Sequence, residues 1–147
     1  MTDTDSDCYE VALGRFMLAF NEIDNRMTEL IELILKRLNR EDLINQGTKT
    51  NFSLKLYVLD LLRTSHEGDG ITDAPITKLR EIAGHRNKVA HGHFDQNLID
   101  GTYDVMSNNV RADYPVEKLD GLTAEAEKAI DALRFARACY SFKDAPP

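Results

Sequence analysis

Leu13, Phe16, Phe20, Ile23, Met27, Leu30, Ile34 and Leu38 follow one another at steps of three and four, the spacing that lays apolar side chains along one stripe of an α-helix. The pattern predicts a first helix of about thirty residues or more, with N-cap candidates at Asp5, Ser6 and Asp7 and an end near Asn39. Residues 45–50, which include Gly47, read as a connection. A second helix is predicted to start near Asn51 or Ser53 and to bury Leu54, Val58, Leu61 and Leu62, and residues 66–73, with Gly68 and Gly70, read as a flexible loop. Asp73 is placed to cap a third helix that tolerates Pro75 in its first turn and carries Ile76, Leu79, Ile82, Ala83, Val89 and Ala90 on its apolar face, with Gly92 as its stop. The pattern weakens from Phe94 to Tyr114, where Asp100-Gly101 suits a hairpin turn and Pro115 falls in the connection that follows. A last helix is predicted from Thr123 to Phe142, with Ala126, Ala129, Ile130, Leu133, Ala136 and Tyr140 on one side and a frayed tail at 144–147. These elements predict an all-α fold, an antiparallel four-helix bundle with a long first helix and a short hairpin between the third and fourth.

A chain of 147 residues is the size of one domain, so the expectation is a single domain over 1–147 with its core at about 6–142. No apolar run is long enough to span a membrane, and the acidic start MTDTDSDCYE lacks the basic flank and apolar stretch of a secretory signal. A cytoplasmic location is the expectation. Cys8 and Cys139 lie far apart without C-x-x-C spacing, which suits reduced thiols. The net charge of −7 argues against non-specific coating of nucleic acid, which needs many Lys and Arg contacts to phosphate. One segment differs from its host: residues 76–94 carry Lys78, Arg80, Arg86 and Lys88 against Glu81 alone, a net +3, which leaves −10 for the rest.

Within that segment the apolar stripe Leu79, Ile82, Ala83 continues at the next helical step with Arg86 instead of a hydrophobe. A guanidinium in a core-facing place needs a carboxylate, a helix edge, a cleft or a subunit interface. Glu22 or Asp24 on the first helix would serve as the carboxylate, giving a salt bridge that sets helix register. Asn87 and His91, four residues apart, fall about 40° apart on one helical face, within reach of each other. Asn87 would then fix the imidazole tautomer, while the helix C-terminus favours imidazolium at His91. The structural alternative for His91 is a simple C-terminal cap. Arg86 and His91 lie about 140° apart on a straight helix, so a loosened helix end or a two-fold dimer is needed to bring them together. His85, His91 and His93 cluster but lack the Cys or carboxylate partners of a zinc set, and no metal or cofactor is expected.

The run Arg86-Asn87-Lys88-Val89-Ala90-His91 resembles the R-x4-6-H motif of the HEPN superfamily, the higher eukaryotes and prokaryotes nucleotide-binding domains. The polar residue directly after the arginine fits that motif, as does its place near the end of a third helix that follows a long first one. The resemblance implies a HEPN-like helical bundle acting as a homodimer. It further implies a metal-independent endoribonuclease, often a toxin with an antitoxin partner or a component of phage defence. Catalytic roles then fall to Arg86, Asn87 and His91: Arg86 stabilises the charged phosphorane, His91 moves protons and Asn87 orients the site, leaving cyclic phosphate and 5′-hydroxyl ends. Lys78, Arg80, Lys88, His85 and His93 are the expected RNA-binding residues around it. Other HEPN domains bind RNA, nucleotides or protein partners without cutting. A purely structural dimerisation bundle is the third reading, and it requires Arg86 to be buried against an acid.

Overall fold

The three-and-four spacing of the first segment folds as α1 (Asp3–Arg37) in the computed structural model, which describes residues 3–64, 75–91, 93–96, 103–107 and 110–142, with side chains for 8–63, 75–90 and 114–141. The helix starts ahead of the predicted caps, so Asp5, Ser6 and Asp7 lie inside its first turns, where acidic residues are favourable to the positive end of the helix dipole. Asn39 closes it in the left-handed region, φ 57°. Its N–H donates to the Lys36 carbonyl at 3.1 Å and the Arg40 N–H to the Leu35 carbonyl at 2.8 Å, the paired closure typical of a helix C-terminus. Leu38, predicted to end the apolar stripe, is exposed because it sits at this turn.

The chain forms two compact units, one of Met1–Phe20 with Glu81–Glu127 and one of Asn21–Arg80 with Lys128–Pro147. In the second, the predicted connection after α1 is a 3-10 turn (Glu41–Leu43) and a short α2 (Ile44–Thr48). Gly47 packs beside Ile31 and Leu35, and the Thr48 hydroxyl donates to the Ile44 carbonyl at 2.7 Å to close the turn. Asn51 caps α3 (Phe52–Thr64), its Oδ1 accepting the Leu54 N–H at 2.9 Å. The buried face of α3 is not the predicted one: Leu56, Leu59 and Lys55 point inward, whereas Leu54 and Leu61 are half exposed. Apolar residues crowd every side of this helix, so their spacing sets no phase. Lys55, 7% exposed, decides it, donating from Nζ to Asp24 Oδ1 at 2.7 Å and Thr28 Oγ1 at 3.2 Å while its stem packs inside.

Two prolines open the remaining helices. The Pro75 carbonyl accepts the Leu79 N–H at 2.9 Å to start α4 (Ile76–His91), and the Pro115 carbonyl accepts the Leu119 N–H at 3.1 Å to start α5 (Val116–Phe142). The last helix therefore begins earlier than Thr123, and Leu119 and Leu122 extend its buried seam. Gly121 stands inside it on an open surface, and Thr123 does not cap but donates to the Leu119 carbonyl at 3.1 Å within the helix. Ile76, Leu79, Ile82, Ala83 and Val89 of α4 are buried as expected, while Ala90 is exposed. At the C-terminal end of α5, Arg37 donates to the carbonyls of Tyr140 and Ser141, and its guanidinium carbon stands 4.2 Å from the Tyr140 ring centroid. A cation is favourable to the negative end of the dipole.

Between α4 and α5 the expectation of a single short hairpin is exceeded. Strands β1 (His93–Gln96), β2 (Tyr103–Ser107) and β3 (Val110–Asp113) form an antiparallel sheet in the order β1-β2-β3. Phe94 pairs with Val105 and Val105 with Ala112, and the register also aligns Asp95, Asp104 and Asp113 in one row. The predominantly helical character is thus as predicted, with a small sheet added. Asp73, the loop 66–73, Gly92, Asp100-Gly101 and the tail 144–147 lie outside the described residues. Among the described residues no helix is long and apolar enough to cross a membrane.

Candidate functional site

Arg86 stands on the last turns of α4 in the first unit, half buried, with its guanidinium carbon 5.2 Å from the centroid of the Phe20 ring of α1. A cation over an aromatic face is attracted by the ring's negative quadrupole. Its Nη1 donates to Asn87 Oδ1 at 3.3 Å, a contact at the surface. Its Nε is buried and has no hydrogen-bond partner among the described residues.

The acids expected to pair with Arg86 are committed elsewhere. Glu22 accepts from Arg26 Nε at 2.9 Å and Arg134 Nη2 at 3.2 Å, and these guanidinium groups hold its carboxyl below the ordinary range. Asp24 is the counter-ion of Lys55 at 2.7 Å. Among the described residues Arg86 makes no ion pair, so the register-setting salt bridge of the structural reading is corrected: the interior cation that takes an acid on α1 is Lys55. A guanidinium over an aromatic face, with a desolvated N–H and no carboxylate among the described residues, keeps donor capacity of the kind that suits oxyanions.

The other expected site residues are distributed unevenly. Asn87 is exposed and accepts from Arg86; the expected contact with His91 involves a side chain outside the described residues, although His91 itself closes α4 as its last helical residue. His93 opens β1, its side chain likewise outside them. Lys88 is exposed in the unit that holds Arg86, whereas Lys78 and Arg80 belong to the other unit. Among the described residues no three His, Cys, Asp or Glu side chains gather as a metal set.

His85, expected among the RNA-binding residues, makes a contact of its own within the first unit. It is half buried, and its Nδ1 lies 2.8 Å from the hydroxyl of Tyr114, the two rings meeting edge to face at 5.8 Å between centroids. Burial first, then the cations Lys118 and Lys88, push its pKa below the ordinary histidine value, with Glu125 and Glu81 opposing. The imidazole is therefore neutral near pH 7. Burial pushes the Tyr114 phenol up, so it keeps its proton. A buried O–H must place that proton, and among the described residues Nδ1 is the acceptor within reach, which assigns the Nε2–H tautomer to His85. Lys118 Nζ stands 4.2 Å from the centroid of the Tyr114 ring.

Tyr114, Phe20 and Lys118 carry no mark in the sequence of belonging to this site. Phe20 reads only as one member of the α1 seam, and Tyr114 as the end of a weakly patterned stretch. Compared with protein-family models, with curated proteins and with solved structures, the chain matches none.

Proposed function

We propose that the chain is a HEPN-like helical bundle that works as a homodimer and cleaves RNA without a metal, at a cleft holding Arg86, Asn87 and His91 of both subunits. The observation that supports this reading is Arg86 itself, a cation over Phe20 with a buried Nε and, among the described residues, no acid partner. That is the environment a phosphodiester oxygen would complete. The 2′-oxygen of the substrate attacks phosphorus, the 5′-oxygen leaves, and the products carry a 2′,3′-cyclic phosphate and a 5′-hydroxyl. Arg86 stabilises charge on the phosphorane, Asn87 holds the guanidinium through its amide oxygen, and His91 moves the proton between the attacking and leaving oxygens. Lys88 and His93 supply phosphate contacts, while His85 is bonded to Tyr114.

A cytoplasmic toxin or phage-defence role, restrained by an antitoxin protein, belongs to the same proposal. The net charge of −7 favours a second reading, in which the same Arg86 site binds RNA, a nucleotide or a partner protein without cleaving it. The test incubates total RNA with wild type, Arg86→Ala and His91→Ala in a chelator. Cleavage by wild type alone supports the nuclease; RNA left intact by all three, with anion binding lost only in Arg86→Ala, supports the binding module.

A further inference from the structure

We propose that the His85–Tyr114 hydrogen bond is a pH-operated tie, which holds α4 to the start of α5 while His85 is neutral and releases it when His85 is protonated. Tyr114 is fully buried, and its hydroxyl finds its hydrogen-bond partner, among the described residues, in His85 Nδ1 at 2.8 Å. With a neutral imidazole the arrangement is satisfied: the phenol donates and Nδ1 accepts. Protonation places a hydrogen on Nδ1, which then has to donate to the phenol oxygen. Among the described residues the phenol proton is then left without an acceptor in a buried position, and unmet polar hydrogens in such places are rare because they are costly.

The surrounding charges sharpen the effect. On α5, Lys118 stands over the Tyr114 ring and Glu125 offers partial compensation; on α4, Lys88 opposes an imidazolium and Glu81 favours it. Desolvation outweighs these, and the two lysines act in the same direction as desolvation. Because the tied form holds the imidazole below its ordinary pKa, the released form binds the proton more readily, so release is absent above that ordinary value and grows as pH falls beneath it. Each unit of difference between the two forms is worth about tenfold in the ratio of released to tied molecules. His85 directly precedes Arg86 on α4, so the same turn carries the tie and the guanidinium. The His85–Tyr114 tie operates whatever Arg86 binds.

The experiment follows the full chain by NMR, with the His85 ring signals giving its titration and amide hydrogen exchange in α4 giving release, at about pH 7.5 and about pH 5.5 after correction for intrinsic exchange. In wild type His85 titrates below the ordinary histidine value, and protection of the amides at 83–90 falls at the lower pH by up to about tenfold. His85→Asn keeps an acceptor near the Nδ1 position without a titrating group, and its α4 protection is expected to be the same at both pH values. Tyr114→Phe removes the donor, which raises the His85 titration point and flattens the pH response. Titration of wild-type His85 at the ordinary value overturns the proposal, as does an equal pH dependence in wild type and His85→Asn. If Tyr114→Phe does not fold, those two readouts decide alone.

Discussion

Replacing Arg86 by Met separates a cation kept for a ligand from one kept for the fold. Methionine retains an unbranched stem against the Phe20 ring and adds a favourable sulfur–aromatic contact, while it removes the buried Nε that has no hydrogen-bond partner among the described residues. Relief of an unsatisfied buried N–H is worth about 1–3 kcal/mol. Loss of the cation–π attraction at this half-buried position costs about 0.5–1 kcal/mol, and the 3.3 Å surface contact to Asn87 adds little. The balance is a variant between unchanged and about 2 kcal/mol more stable, which for a chain of this length is a rise in Tm of zero to about 8 °C. Thermal unfolding followed by far-UV circular dichroism, in a buffer free of phosphate and sulfate, measures it. Titration of inorganic phosphate adds the second half, since an anion bound to the native wild type raises its Tm and leaves Arg86→Met unmoved. A loss of more than about 1 kcal/mol in Arg86→Met would show that the guanidinium holds the fold together, and the reasoning would fail.

The buried pair in the second unit gives a contrast: Asp24→Ala strands Lys55 in the interior and is expected to cost about 2–4 kcal/mol in urea denaturation, the acid being partly solvated. Lys55→Met, which removes the charge and keeps the stem, is expected to cost under about 1 kcal/mol; equal losses in the two variants would contradict this account. Asn39 occupies the left-handed region, so Asn39→Gly leaves stability unchanged or slightly higher, whereas Asn39→Val loses about 1–2 kcal/mol; a tolerated valine would mean that α1 ends differently in solution. Lys118→Gln removes a cation that opposes an imidazolium at His85, so His85 titrates at higher pH than in wild type, and an unchanged or lower titration point would show that Lys118 does not face it.

The elements were most legible where one period dominates. In α1 the seam from Phe16 to Ile34 is buried throughout because one period dominates, with Ile31 and Leu35 widening it and Leu18 left exposed. In α3 leucines, a tyrosine and a valine surround the axis, and the deciding residue is Lys55, whose interior place depends on Asp24 and Thr28, at separations of 31 and 27 residues. No local pattern carries that information. The early start of α5 was hidden by Gly121, which reads as a breaker but stands on an open helical surface, although Leu119 and Leu122 keep the period. At the site, Arg86 was visible as a charge interrupting an apolar stripe. Its setting was not, since Phe20 reaches it from another helix and the expected acids are taken by Arg26, Arg134 and Lys55. The role of His85 was invisible for the same reason, its partner Tyr114 lying 29 residues away.

The central claim is that Arg86 holds a phosphodiester for attack by its own 2′-oxygen. The most direct measurement is the end chemistry of RNA fragments formed in chelator, read by their susceptibility to 5′-phosphorylation and by phosphorus NMR of the 3′ ends. Wild type is expected to yield 5′-hydroxyl and 2′,3′-cyclic phosphate ends, and Arg86→Met, though folded, is expected to yield none. Fragments bearing 5′-phosphates, or equal cleavage by Arg86→Met, would contradict the claim.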